Sequence, residues 1–415
     1  MAECVLYALS VMPATRKELI LASIVMLAIP IAAELLLRAT HAEFDSQLYI
    51  ADSDRGWALR PGAKGLVLDE TKQFVRINSR GLRDREHSLI KPANTVRIAV
   101  LGNSWTEAMQ VPLDKTFCSL LERRLTESSC FGDRHVEVIN FGVSGYSTAQ
   151  ELITLRDVVR PYRPDLVIVA FYSARDVANN VRRFNNASNP DQAPYFIHRG
   201  GKLVLDDSFK NLPAVQNRQI QLQKLRGWLS EHIRALQAVN AMVRYSRAHI
   251  ALAAAKQEAS KTGVYNLEHF IYAEPSQPAL KEAWQITEET LLLIRNETTA
   301  QGAGMRIVTL PNRPQVIPDP AKRLEFMQSL GVSELSYADT RIDAFGEREG
   351  IRVTNLAPAL SSYAEKYRVF LNGFDEASFG SGHWNETGHR LAAESIASGM
   401  CSSVTTVLEA KLGAH

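Results

Sequence analysis

The chain has 415 residues, enough for one large elaborated domain or two ordinary ones. Its 47 Lys and Arg stand against 45 Asp and Glu, a formal net charge of +2. No long basic tract is present, so the sequence lacks an electrostatic footprint for nucleic acid, and neither DNA nor RNA is expected as a partner.

The first predicted element is apolar. Leu19 to Leu37 reads LILASIVMLAIPIAAELLL, with a single charge at Glu34. As a helix at ~1.5 Å per residue it is long enough to cross a bilayer once. Arg16 and Lys17 precede it, whereas Arg38 is followed by His41, Glu43 and Asp45. The positive-inside bias therefore puts residues 1–18 in the cytoplasm and everything after the span outside. Residues 19–37 read as a transmembrane signal anchor. The other reading is a cleaved secretory signal, with Thr40-His41-Ala42 as a poor cleavage site; the run exceeds the ~7–15 apolar residues of a signal core. Either way the domain is exported, and the anchor makes it a single-pass inner-membrane protein with its domain on the periplasmic or extracellular side.

Of four cysteines, Cys4 falls on the cytoplasmic side. Among Cys118, Cys130 and Cys401 at most one pair can form. A predicted helix separates Cys118 from Cys130 by ~18 Å, too far for a bridge, whereas Cys130 with Cys401 is allowed. There is no CxxC and no His/Cys cluster at metal spacing, so no zinc or other cofactor is expected.

Residues 40–94 form a lead-in, with GWALRPGAKG and VRINSRGLRDRE reading as irregular structure with short strands. Regular alternation follows: a strand over Val96–Leu101, a helix over Asp114–Leu125, a strand over His135–Asn140, a helix over Ala149–Val159 and a strand over Asp165–Phe171. Residues 95–180 thus read as the first part of an α/β domain with a parallel sheet covered by helices on both faces. Residues 181–300 read as a largely helical insertion. It has a hairpin over Tyr195–Ser208 turning at Gly200-Gly201, and then an apolar stripe (Leu225, Trp228, Leu229, Ile233, Leu236) at helical spacing from Ala214 to Ala259. A helix over Pro278–Thr299 leads to the second part, residues 301–415. That part has strands at Met305–Leu310 and Ile351–Leu356, a helix near Tyr337–Glu349, and a final helix starting near Glu386.

Three separated segments meet at the carboxyl edge of such a sheet. Gly102-Asn103-Ser104 puts a hydroxyl at a strand-to-helix junction, near backbone N–H groups that a helix start leaves unpaired. NFGVSGYSTAQE carries Gly142 and Gly145, which let backbone approach a ligand. GSGHWNETGHRLAAE puts His383 on a loop before the last helix; His389 falls inside that helix and reads as structural. A hydroxyl, a donor loop and an imidazole supply a nucleophile, an oxyanion site and a base.

In this order the segments resemble the SGNH (GDSL) hydrolase superfamily. VLGNSWTEAMQVPLDKTF is similar to its first block, INFGVSGYSTAQEL to its second and GHWNETGHRLAAE to its last, while LVIVAFYSARDVANN occupies the place of the third. The resemblance implies a flavodoxin-like three-layer α/β fold with Ser104 as nucleophile, Gly145 as oxyanion glycine and His383 as base. It further implies an exported esterase, acylhydrolase or acyltransferase acting on acyl esters, carbohydrate-linked ones such as polysaccharide esters included. Three positions depart from the family pattern. Asn103 replaces aspartate before the nucleophile. Arg175 replaces the oxyanion asparagine, and as an arginine it can donate hydrogen bonds or pair with Asp176. Gly380 and Ser381 stand where the carboxylate that orients the histidine usually lies; Asp375 and Glu376 are the nearest carboxylates upstream. These losses motivate the rival reading, a degenerate SGNH domain that binds glycan or a secretion-complex partner without turnover.

Overall fold

The computed structural model describes residues 15–40, 48–68, 70–185, 190–213, 269–375, 378 and 380–412, with further positions between 215 and 250. Five parallel strands form the central sheet: β5 (Thr95–Gly102), β6 (His135–Asn140), β7 (Leu166–Phe171), β10 (Gly304–Thr309) and β11 (Arg352–Asn355). Their order is β11-β10-β7-β5-β6. All eight residues of β5 are buried, as expected for a central strand with helices on both faces. Thr95–Val100 pairs in parallel with His135–Asn140, and Ile98–Gly102 with Leu166–Ala170.

From β5 the chain steps outward to β6 and then returns across β5 to β7. Right-handed crossovers then require helices on opposite faces. One face carries α3 (Phe117–Glu127) packed on the last helix, α10 (Glu386–Leu412). On the other face α4 (Thr148–Thr154) and α5 (Ser173–Asn179) pack on α6 (Pro278–Ala300), which buries Trp284. The strand order reverses between β5 and β7, and the crevice beyond their carboxyl ends is where such sheets bind ligands.

The lead-in is more ordered than expected. It folds into two antiparallel hairpins, β1 (Tyr49–Asp52) with β2 (Gly56–Leu59) and β3 (Lys64–Leu68) with β4 (Lys72–Arg76). Leu48, Leu59, Ala63, Val75 and Ile77 from this region form a second small core with Met109, Val143 and Tyr146 of the main domain. Trp57 Nε1 donates to Ser144 O at 2.9 Å and Tyr146 Oη to Trp57 O at 2.6 Å. Burial of each such apolar side chain contributes about 1.5–3 kcal/mol, so the hairpins are fixed to the domain.

The expected hairpin is β8 (Tyr195–Arg199) with β9 (Lys202–Asp206). Most of the helical stripe expected over Ala214–Ala259 lies outside the described residues, within which 234–243 is helical. Two further helices, α7 (Pro320–Leu330) and α9 (Ala357–Tyr367), lie in stretches where no helix was expected; α8 (Tyr337–Glu349) has the expected bounds.

The apolar run Leu19–Leu37 falls within α1 (Arg16–Ala39). Among the described residues no helix is long and apolar enough to cross a membrane, so the expected transmembrane span is not reproduced. The outer end of α1 is tied to protein instead. Glu34 accepts the Ala235 N–H at 2.8 Å and pairs with Arg38 at 2.8 Å, and the Arg38 guanidinium donates to His232 O at 2.6 Å. Cys130 and Cys401 form a disulfide with Cα atoms 5.2 Å apart, joining the loop after α3 to α10, and Cys118 is a buried free thiol.

Candidate active site

β5 leaves the sheet at Gly102, and the next residue organises the turn. Asn103 caps the short helix α2 (Ser104–Glu107): its Oδ1 accepts the Trp105 N–H at 3.2 Å, and its backbone carbonyl accepts the Thr106 and Glu107 N–H groups at 3.0 Å. A cap of this kind satisfies the first orphan donors of a helix and fixes its direction. Ser104 therefore opens α2 with its hydroxyl at the carboxyl edge of the sheet.

His383 arrives from the far end of the chain on a loop held at both ends. Asn385 caps α10, its Oδ1 accepting Thr387 N–H at 3.1 Å and Gly388 N–H at 3.2 Å. Trp384 is fully buried beside Phe117, Trp105 and His389, and Gly373 N–H donates to His383 O at 3.1 Å. With its neighbours pinned, the His383 ring sits 5.1 Å from the Trp105 ring, and Ser104 Oγ donates to His383 Nε2 at 2.8 Å. The hydroxyl and the imidazole are thus within hydrogen-bond reach despite 279 residues of separation.

The orienting carboxylate is Glu70, at the tip of the β3–β4 hairpin. His383 Nδ1–H donates to Glu70 Oε1 at 2.5 Å, and the His383 backbone N–H donates to Glu70 Oε2 at 2.7 Å. Thr71 Oγ1 donates to Gln110 O at 3.1 Å, which docks the tip on the domain. Gly382 has φ +69°, and a Cβ there would come within 2.2 Å of Glu70 Oε2, so only glycine admits the carboxylate. Burial alone would raise the Glu70 carboxyl, but the His383 charge, its two hydrogen bonds and the Arg313 guanidinium outweigh it and hold Glu70 below the ordinary carboxylate range. Glu70 is therefore an anion that fixes the His383 tautomer, with the proton on Nδ1 and the lone pair of Nε2 facing Ser104.

This corrects the expectation for Asp375. Its Oδ1 accepts the Ser378 N–H at 2.8 Å, so the carboxylate closes its own loop; Glu376 lies outside the described residues. Sequence reasoning missed Glu70 because it lies 313 residues from His383 in a segment without a chemical motif. The one available signal was the alternation LVLDETKQFV, which marks a hairpin with acids at its turn.

The other expected residues flank the serine. Gly145 takes φ +80° in the loop after β6. That loop packs tightly on α2: a Cβ on Gly142 would lie 2.6 Å from Glu107 N. Glu107 itself is buried, accepts the Tyr49 hydroxyl at 2.8 Å, and is pushed up to about 7 by burial. Arg175 is half-buried on α5 after β7, and among the described residues no hydrogen bond joins it to Ser104. Nor does it pair with Asp176, which is fully buried and taken by Asn103 Nδ2 at 2.8 Å and by Tyr172 N–H at 2.7 Å. His389 is buried in α10, stacked on Phe117 at 6.1 Å, and burial drives its pKa down to about 3, which fits a structural ring.

No protein-family profile and no curated protein matches the sequence. Among solved structures the chain is similar to the acetyl xylan esterase AlAXEase, at 11% identity and TM-score 0.36, over 73% of this chain and 99% of that one. It is similar to LAE5, an alpha/beta hydrolase from the metagenome of Lake Arreo in Spain, at 14% identity and TM-score 0.35, over 76% and 99%. It is also similar to TesA, at 11% identity and TM-score 0.35, over 74% and 99%. At such identities and scores the likeness says nothing about chemistry, which has to come from the side chains.

Proposed function

We propose that this chain is a serine esterase of the SGNH type, cleaving acyl esters, with carbohydrate-linked esters as its natural class. The observation that carries this reading is the continuous relay from Ser104 through His383 to Glu70, with contacts of 2.8 and 2.5 Å. In the acylation step Ser104 Oγ bonds to the ester carbonyl carbon while its proton passes to His383 Nε2. The tetrahedral intermediate collapses by breaking the bond to the alcohol oxygen, which takes that proton from Nε2. Water then repeats the sequence on the acyl-enzyme and releases the acid; a sugar hydroxyl in place of water would make the same site an acyltransferase. Backbone N–H groups of Ser104 and Gly145, with Arg175 as an added donor, are the groups proposed to hold the oxyanion.

The same reading places the domain outside the cytoplasmic membrane, tethered through the apolar segment at Leu19–Leu37. Two observations support it: a disulfide is at home in an oxidising compartment, and Ile24, Met26, Leu27, Ile31 and Leu35 of α1 stand exposed, as lipid-facing side chains do. The rival, a binding module without turnover, rested chiefly on a missing orienting carboxylate, and Glu70 fills that role.

The test is hydrolysis of p-nitrophenyl acetate and of an acetylated oligosaccharide by the full-length chain in detergent. Turnover of both, lost in Ser104→Ala and His383→Ala, is the expected result. A wild-type chain that cleaves neither returns the binding-module reading.

A further inference from the structure

Two carboxyl groups lie behind the Gly102-Asn103-Ser104 turn that the relay does not use. Asp176 on α5 is fully buried; its Oδ1 accepts Asn103 Nδ2 at 2.8 Å and its Oδ2 accepts the Tyr172 N–H at 2.7 Å. Glu151 on α4 is 1% exposed, and neither of its oxygens meets a hydrogen-bond donor. The two helices are joined at this level by Asn180, whose Nδ2 donates to Thr148 Oγ1 at 2.6 Å and whose Oδ1 accepts the Ala149 N–H at 3.3 Å. The influences on the Glu151 carboxyl are burial and the neighbouring Asp176; those on Asp176 are burial, Tyr172 N–H and Asn103. No cation acts on either.

Two ionised carboxylates side by side in a dry interior, with no cation, repel each other and forgo solvation, so the pair retains a proton. Counting donors decides which acid keeps it. Both available donors point at Asp176 and none at Glu151, so Asp176 is the anion and Glu151 the neutral acid. A neutral carboxyl has one O–H to give, and the group beside it is an acceptor.

We propose that Glu151 is a positioning residue that donates its carboxyl proton to Asp176, which in turn fixes Asn103 and so the helix that presents Ser104. The inference rests on the serine-esterase reading for its effect on turnover, though not for the shared proton itself. It also gives a reason for Asn103 where the family pattern has aspartate. With Glu151 and Asp176 already in place, an acid at 103 would be a third buried carboxyl, and it would lack the Nδ2 donor that Asp176 uses.

The experiment compares full-length wild type with Glu151→Gln, Asn103→Asp and the double variant. At about pH 8 the infrared spectrum of the wild type should contain a neutral carboxylic acid carbonyl band that shifts on carbon-13 labelling of glutamate and is missing from Glu151→Gln. On p-nitrophenyl acetate, Asn103→Asp should lose at least about tenfold in kcat with KM within about twofold, since residue 103 touches no substrate. Adding Glu151→Gln removes the third acid, and its amide restores a donor, so the double variant should recover most of the loss. A wild-type spectrum with no glutamate-dependent band, or a band that persists in Glu151→Gln, overturns the proposal. So does a double variant no faster than Asn103→Asp alone. If Asn103→Asp does not fold, the infrared pair decides alone, and that pair reads the proton even if the chain cleaves no ester.

Discussion

Replacing Glu70 by glutamine keeps the size of the side chain and removes its charge, which makes it the sharpest test of the relay. In the structure Glu70 makes two hydrogen bonds to one residue, at 2.5 Å to Nδ1 and 2.7 Å to the backbone N–H of His383. Hydrogen bonds to a charged group contribute about 1.5–3 kcal/mol each, so two set a ceiling of about 6 kcal/mol. The Glu70 side chain is 25% exposed, and solvent screening lowers that ceiling. Glutamine can also present its NH₂ to Nδ1, which moves the ring proton to Nε2 and leaves nothing to accept the serine proton; the equivalent tautomer error in the serine-protease template costs about 10,000-fold. The expected loss in kcat for Glu70→Gln is therefore about 100- to 10,000-fold, or about 3–5.5 kcal/mol of transition-state stabilisation. KM should stay within about threefold, because Glu70 does not touch the ester. Steady-state kinetics on p-nitrophenyl acetate, beside Asp375→Asn as a control expected to keep most activity, provides the reading. A Glu70→Gln enzyme that keeps a third or more of wild-type kcat, or an Asp375→Asn enzyme that loses as much as Glu70→Gln, refutes the reasoning.

Gly382→Ala places a Cβ 2.2 Å from Glu70 Oε2 at φ +69°, so its kcat should fall as in Glu70→Gln, whereas Gly200→Ala, with no atom within 4 Å, should leave kcat unchanged. A second buried cluster controls stability. His87 lies 3.2 Å from Asp84 and 2.7 Å from Glu137, and Arg97 pairs with Glu137 at 2.5 Å. Burial alone would lower the His87 pKa and Arg85 opposes its charge, but hydrogen bonds to Asp84 and Glu137 outweigh both and raise it above the ordinary value. A raised histidine stabilises the fold below its ordinary pKa, and that contribution is lost as pH rises through the raised one. Melting curves should therefore show the wild type losing more Tm than His87→Gln on going from neutral to alkaline pH; parallel curves would contradict this. Burial raises Glu137, but His87 and Arg97 outweigh it and bring its carboxyl down to about 2, so its contribution is present above the ordinary carboxylate pKa and lost as pH falls toward that value. Finally, reducing Cys130–Cys401 should cost about 2–5 kcal/mol of stability, read as a lower Tm with reductant; an unchanged Tm would show that the bridge holds nothing the fold needs.

The parts of the fold legible in the sequence were those with local signals. His135–Asn140 and Tyr337–Glu349 have the expected bounds, and Gly200-Gly201 marks the hairpin turn, because alternation, helical spacing and positive φ are written into neighbouring residues. α7 buries no residue, so it has no apolar stripe to read. The sequence pointed to Ser104 and His383 through the turn and the loop that carry them, and the structure brings them together. Their third partner was not legible, since Glu70 depends on where a hairpin tip lands after the lead-in has built its own small core against Met109, Val143 and Tyr146. Proximity in sequence pointed to Asp375, whose carboxylate satisfies its own turn, a choice that only loop geometry reveals.

The most direct measurement of an activated serine is mass spectrometry of the full-length chain after exposure to a fluorophosphonate. A single phosphonyl adduct on the peptide containing Ser104, absent from Ser104→Ala and from His383→Ala, is the predicted outcome. An unlabelled wild type, or an adduct that survives in Ser104→Ala, would contradict it.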